Sequence, residues 1–183
     1  MSLSKKNNFS ASSWLGGLVE DPKLADQIVF VAEQPPRTAN YRKLSLPLNP
    51  LLTEKLAQNG IEQFYAHQAL AYEAAMNGEN LIVCTGTNSG KSLCYNLPAL
   101  NKLLEEPNAR ALYLFPTKAL ARDQATKLAK LAPDSHVRVA CYDGDTAPRE
   151  RTSIRKLAHV IVSNPDMLHV GILPSHERWT SFL

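Results

Sequence analysis

The sequence has 183 residues, of which 44% are apolar and 20% charged, enough for one globular domain with a core and a further segment. Its 20 Lys and Arg against 17 Asp and Glu give a net charge of +3, which permits contact with phosphate without requiring it, so the partner has to be read from motifs. No apolar run approaches the roughly 18 residues of a membrane span, the start from Met1 to Ser10 is polar, and Trp14 to Val19 holds two glycines and makes a poor signal peptide.

Cys84, Cys94 and Cys141 are scattered. Their spacing fits neither a disulfide framework nor a zinc site, small buried roles are expected for Cys84 and Cys94, and a reducing cytoplasm is the expected compartment. The five histidines have no metal-ligand spacing with acids or cysteines, so solvated or packing roles are expected for them. Trp14 and Trp179 read as core or interface anchors.

Residues 1–50 carry Pro22, Pro35, Pro36, Pro47 and Pro50, which break any long element, and they read as an irregular extension. Within it Ile28 to Ala32 is a short apolar run that fits either a strand or a buried helical turn. Residues 51–183 alternate between types. Helices are expected over Leu51–Gln58 and Tyr65–Met76, stopped by Asn59-Gly60 and Asn77-Gly78. A strand Asn80–Cys84, a helix Gly90–Glu105, a strand Ala109–Phe115 and a helix Lys118–Leu131 follow. The strand Val137–Tyr142, the helix Pro148–Leu157 and the strand His159–Ser163 complete the pattern. Such alternation predicts an α/β fold, a parallel sheet flanked by helices, with ligands at the carboxyl ends of its strands.

Between the first strand and its helix lie Thr85, Gly86, Thr87, Asn88, Ser89, Gly90, Lys91 and Ser92. A loop in this position surrounds phosphate oxygens with backbone amides and a helix N-terminus. Lys91 adds a charge at the outer phosphates, and Ser92 offers its hydroxyl to Mg. A Gly-Lys-Ser or Gly-Lys-Thr triplet alone arises by chance in roughly one chain of this length in ten, so the flanking strand and helix carry the assignment. Two positions depart from the strict pattern: Thr85 stands where glycine is usual, and Asn88 is bulkier than the small residue expected.

Gln68 lies 23 residues before Lys91, and its carboxamide can donate to and accept from an adenine edge. Pro116, Thr117 and Lys118 follow the strand Ala109–Phe115; Thr117 is a good N-cap, and the amides beyond it suit a phosphate. Gly144, in Tyr142-Asp143-Gly144-Asp145-Thr146, and Asn164-Pro165 follow the next two strands.

The order and wording of Tyr65-Ala66-His67-Gln68, Gly90 to Pro98, Pro116 to Ala121 and Asn164 to His169 resemble the DEAD/DEAH-box-like helicases of superfamily 2. The branch most similar is the DEAH-type DNA repair helicases related to the bacterial mitomycin repair factor, over about residues 46–183. The resemblance implies the first RecA-like domain of an ATP-dependent DNA helicase, with ATP and Mg as cofactors and nucleic acid, DNA before RNA, as partner. It also implies that Gln68 reads adenine, and that Pro116, Thr117, Lys118, Gly144, Asn164 and Pro165 face nucleic acid. The phosphate-gripping arginine usual near Asn164 has no counterpart here. No Asp-Glu dipeptide occurs in the sequence. The chain is therefore expected to stop before its Walker B carboxylates, to lack the second RecA-like domain, and to be unable to hydrolyse ATP efficiently alone.

Two other readings stand beside this one. Were Asp143 or Asp145 the magnesium carboxylate, the chain would be a small self-contained P-loop kinase. Were the phosphate loop idle, it would be a non-catalytic nucleic-acid-binding remnant.

Overall fold

The computed structural model describes residues 11–32, 38–133 and 136–183. The chain divides into two compact units, Met1–Thr38 and Ala39–Leu183. Residues 39–50, read from the sequence as part of the extension, thus belong with the larger unit. The reason is local: Arg42 N donates to Phe64 O and Ala66 N to Asn40 O, forming an antiparallel bridge between Tyr41 and Tyr65.

In the first unit, Ala11–Glu20 forms helix α1 and Ala25–Gln27 a single 3-10 turn. The Ile28 to Ala32 run is neither strand nor buried turn. It is non-regular, with Val29 and Phe30 95% and 83% exposed.

The second unit opens with α2 (Pro50–Gln58), whose N-cap Asn49 accepts from Leu51 N at 3.0 Å. Asn101, fully buried, holds the same turn by accepting from Asn49 N at 2.7 Å. Then come α3 (Ala66–Met76), α4 (Lys91–Glu105), β1 (Ala111–Leu114), α5 (Lys118–Leu131), β2 (Val139–Cys141), α6 (Pro148–Leu157) and β3 (Val160–Ser163). Helical turns through Pro165–Trp179 complete the chain. Gly60 and Gly78 have φ of +73° and +80°, the left-handed geometry expected just after α2 and α3.

The sheet is parallel, ordered β1-β3-β2, with Ala111 and Val139 both opposite Val160. β3 is buried on both faces, which its unbroken Val-Ile-Val run dictates. Alternation sends Val160 and Val162 into the main core with Leu52, Tyr72, Leu97 and Leu128. Ile161 points the other way, into a second cluster with Tyr142, Ile172, Trp179 and Phe182. Each such apolar side chain, fully buried, contributes about 1.5–3 kcal/mol. Trp179 is 1% exposed and meets Tyr142 edge-on at 4.7 Å, so it is a core anchor, whereas Trp14 is 54% exposed.

One expected strand does not form. Residues 80–84 are non-regular and pair with no strand among the described residues, and Ile82 is 92% exposed. Apolar residues favour a strand only where a neighbouring strand supplies ladder bonds and covers the face. Cys84 is accordingly exposed rather than buried, while Cys94 on α4 is buried as expected. Among the described residues no helix is long and apolar enough to cross a membrane.

Candidate nucleotide and nucleic-acid sites

The loop ahead of α4 turns through two left-handed residues, Asn88 (φ +56°) and Gly90 (φ +77°). Asparagine tolerates that region better than most side chains, so the bulk of Asn88 is accommodated by conformation. Gly86, Thr87 and Asn88 are exposed, and a Cβ placed on Gly86 would meet nothing within 4 Å. Lys91 lies along this loop. Its Nζ donates to Thr85 O at 2.8 Å and Gly86 O at 2.6 Å, contacts it can exchange for phosphate oxygens. The Thr85 and Ser89 hydroxyls are hydrogen-bonded to each other.

The first turn of α3 braces the loop. His67 Nε2 bonds Ser89 O at 2.9 Å, and Gln68 Nε2 donates to Gly90 O at 3.0 Å. His67 thus has a specific partner where the sequence suggested only packing or solvation. Gln68 is 2% exposed, and its Oε1 accepts from Tyr65 N at 2.9 Å. Beyond these two bonds its carboxamide keeps one amide hydrogen and one lone pair. Beside it is a cleft of about 450 Å³ walled by Tyr41, Tyr65, Gln68, Gly90 and Leu93, within the size range of small-molecule sites.

Three rings stack along this cleft. Tyr41 and Tyr65 lie 5.1 Å apart at 13°, and Tyr65 and His67 5.7 Å apart at 8°. Tyr41 was not singled out in the sequence, since 24 residues of chain separate it from Tyr65 and no motif spacing marks it. The antiparallel bridge is what brings it there.

Ser92, in the first turn of α4, donates from Oγ to Gln124 Oε1 at 3.5 Å. Among the described residues no group of three His, Cys, Asp or Glu side chains could hold a metal ion. The donor set nevertheless fits a magnesium ion arriving with a nucleotide, because Mg takes most of its ligands from phosphate and water and Ser92 supplies one neutral oxygen.

The second group of sequence-predicted residues gathers at the carboxyl ends of the strands. Thr117 Oγ1 accepts from Leu120 N at 3.2 Å and caps α5. Pro116, Thr117, Lys118 and Gly144 are exposed together, and a Cβ on Gly144 would lie 3.3 Å from Lys118 Nζ. Asn164 and Pro165 adjoin them, because Phe115 N donates to Ser163 O at 2.9 Å. Asn164, however, is 7% exposed and its Oδ1 caps the following turn at Met167 N, 2.8 Å away. Its side chain is engaged internally, while Pro165 is exposed.

A charged network ties this edge together. Arg122 donates through Nε and Nη2 to Asp143 Oδ2 at 3.1 and 3.0 Å, and through Nη2 to Asp145 Oδ2 at 2.8 Å. Lys118 Nζ reaches Asp145 Oδ1 at 3.0 Å. The hydrogen bond and charge of Lys118, then those of Arg122, hold the Asp145 carboxyl below the usual aspartate range. Asp143, 3% exposed, also accepts from Asp145 N at 2.9 Å through Oδ1. With both oxygens taken by Arg122 and the loop amide, Asp143 is built as the anchor of the Gly144 loop.

The DEAD/DEAH box helicase family model matches residues 65–182. The chain is 40% identical over 166 residues to the uncharacterized ATP-dependent helicase YprA of Bacillus subtilis, covering 90% of this chain and 22% of YprA. It is 42% identical over 191 residues to the ATP-dependent helicase HRQ1 of Saccharomyces cerevisiae, covering 100% of this chain and 18% of HRQ1. The crystal structure of the DUF1998 helicase MrfA bound to DNA and AMPPNP superposes with a TM-score of 0.75 at 42% identity, over 80% of this chain and 21% of MrfA. The chain spans about a fifth of the length of these relatives.

Proposed function

The chain belongs to the DEAD/DEAH box helicase family, and from that premise we propose that it is the nucleotide-binding front portion of an ATP-dependent DNA helicase or translocase. Its three-stranded parallel sheet flanked by helices is the core of a RecA-like domain. In this reading the chain binds Mg-ATP and nucleic acid but does not by itself turn ATP over efficiently. The observation that carries the reading is the brace between α3 and the phosphate loop, in which His67 and Gln68 hold the consecutive carbonyls of Ser89 and Gly90. A base in the Tyr41–Tyr65–Gln68 cleft and phosphates on the loop then belong to one molecule.

Each residue has a stated task. The remaining carboxamide valences of Gln68 select adenine. Residues Thr85 to Gly90 surround the phosphates with amides, Lys91 leaves its loop carbonyls for the outer phosphates, and Ser92 Oγ faces the magnesium. A magnesium ion held in part by Ser92 Oγ would supply positive charge against the outer phosphates. Pro116, Thr117, Lys118, Gly144 and Pro165 form the edge for a single nucleic-acid strand, with Thr117 and Lys118 as its phosphate contacts. DNA is favoured over RNA because the MrfA structure is a complex with DNA. The fuller protein would supply the Walker B carboxylates and a second RecA-like domain, and the setting would be cytoplasmic. The kinase alternative is not retained, since Asp143 is engaged by Arg122 and the loop and Asp145 by Arg122 and Lys118.

The test is nucleotide binding by the wild-type chain and by Lys91→Ala, followed by fluorescent ADP or ATP titration. Binding is expected to be lost in the variant, with negligible hydrolysis by either protein when single-stranded DNA is added. Robust multiple turnover by the wild-type chain alone would overturn the proposal. So would DNA binding that persists in a chain showing no affinity for nucleotide, which is what a non-catalytic remnant predicts.

A further inference from the structure

The two sites meet at one side chain. Gln124, in the second turn of α5, accepts through a single Oε1 from Ser92 Oγ at 3.5 Å and Tyr95 OH at 3.2 Å. Its Nε2 donates to Asp123 Oδ2 at 3.2 Å, and Lys127 Nζ holds the same oxygen at 2.7 Å. Tyr95 is fixed in turn by Tyr113 of β1, edge-on at 5.6 Å. Burial, then the neighbouring Tyr95, raises the Tyr113 phenol well above its ordinary value, so it remains a neutral packing surface for Tyr95. Two turns back, at the N-terminus of α5, stand Thr117 and Lys118. Seven residues separate Thr117 from Gln124, two helical turns and roughly 10 Å of axial rise. The helix between them contains neither glycine nor proline.

We propose that Gln124 is a positioning residue that couples the nucleic-acid edge to the magnesium-facing oxygen of the nucleotide site; the inference rests on the nucleotide and DNA sites proposed above. A serine hydroxyl has one proton and two lone pairs. With the proton directed at Gln124 Oε1, the lone pairs of Ser92 are turned away from α5 and are free for a cation. Without an acceptor at that place the hydroxyl rotates, and cation binding has to fix it. Gln124 rides on α5, so a phosphate gripped at Thr117 and Lys118 restrains the helix that carries this acceptor. DNA bound at one end thereby favours the Ser92 orientation that suits magnesium at the other. Linkage makes the effect reciprocal: Mg-nucleotide tightens DNA by the same factor.

The choice of a carboxamide fits this task. It is a neutral acceptor, so it directs the hydroxyl without repelling nearby phosphates as a carboxylate would. A merely structural role would require only that the side chain fill space between α4 and α5, which methionine does equally well.

The experiment uses the whole chain and fluorescent Mg-ADP with a short single-stranded oligonucleotide. In the wild type, saturating oligonucleotide is expected to tighten Mg-ADP about three- to tenfold, within the usual scale of coupling between sites. Gln124→Met should bind each ligand alone with DNA affinity and melting temperature unchanged. It should need about three- to tenfold more Mg for half-maximal nucleotide binding, and its linkage factor should fall to within about twofold of unity. Gln124→Glu, which keeps the acceptor but adds a charge that repels phosphate, should bind Mg-ADP more weakly than the wild type while keeping its linkage factor. Persistence of the full linkage in Gln124→Met, or its absence from the wild type, overturns the inference alone. Retention of nucleotide binding by Lys91→Ala would instead overturn the site on which it rests.

Discussion

The amide nitrogen of Gln68 stands 2.5 Å from the point where a Cβ on Gly90 would begin, and it donates to the Gly90 carbonyl at 3.0 Å. Gly90 is therefore required twice, once for a φ of +77° and once for this close approach. Gly90→Ala is expected to lower stability by about 1–2 kcal/mol from the left-handed backbone alone and to weaken nucleotide binding by at least about tenfold, a 1.4 kcal/mol change. Adding Gln68→Ala removes the collision but not the backbone strain, so the double variant should recover part of the lost stability and none of the nucleotide affinity. Thermal melts and nucleotide titrations read the two effects separately. A Gly90→Ala chain that melts and binds like the wild type would contradict this account.

Asp145 pairs at 3.0 Å with Lys118 Nζ, the group proposed above to meet a phosphate. Its removal should help an anionic partner more than it harms the fold, because exposed ion pairs contribute only about 0–1 kcal/mol. Asp145→Asn is expected to bind single-stranded DNA about three- to tenfold more tightly, whereas Lys118→Ala should bind more weakly and lose about 0.7 from the slope of log K against log salt. Anisotropy titrations across a salt series give both numbers. Equal DNA affinity in all three proteins would remove Lys118 from the interface.

His159 supplies a pH dependence. Its Nδ1 accepts from Arg138 N at 3.0 Å, which requires that nitrogen to be unprotonated. Burial first, then the charges of Arg110 and Arg138, lowers its value below that of an ordinary histidine. The unfolded chain therefore takes up this proton more readily. The stability due to the neutral ring is complete above the ordinary value and is lost as pH falls through the depressed one. Denaturant midpoints should thus drop between about pH 7 and 5, and His159→Phe should drop less over that interval. Parallel titration curves for the two proteins would refute the assignment.

The second core cluster depends on Trp179, which contacts Tyr142 and, at 6.1 Å, Phe182. Trp179→Ala leaves a large cavity beneath Ile161 and is expected to cost about 3–5 kcal/mol. Since that is a large share of the stability of a small domain, the variant should be partly unfolded at room temperature. Chemical denaturation followed by far-ultraviolet dichroism measures this directly, and a loss under about 1 kcal/mol would show that the cluster is peripheral.

Much of this could be read in advance, for identifiable reasons. Helix α5 begins at its Thr117 cap and stops just before Pro133, α6 begins at Pro148, and β3 announces itself by a run apolar on both faces. Of the two elements expected to flank the Gly90-Lys91-Ser92 triplet, the helix forms and the strand does not. What escaped depends on chain segments far apart in sequence. Tyr41 joins the cleft beside Gln68 through backbone pairing with Tyr65, and Gln124 reaches Ser92 across 32 residues. The resemblance turns Asn164 toward nucleic acid, yet its short carboxamide satisfies the nearby Met167 amide instead. Residues 80–84 carry strand-forming side chains without a strand to pair with, and propensity could not foresee that.

The sequence contains two tryptophans, and the structure gives each unit one of them, with opposite surroundings. Trp14 is largely in solvent, whereas Trp179 is sealed against Tyr142, Phe182 and the Arg155 guanidinium. The protein therefore carries its own pair of optical reporters. Unfolding of the larger unit should shift the Trp179 component of the emission to longer wavelength and relieve its quenching, while a soluble quencher such as iodide strikes chiefly Trp14. The two units can be followed independently in a single unlabelled sample.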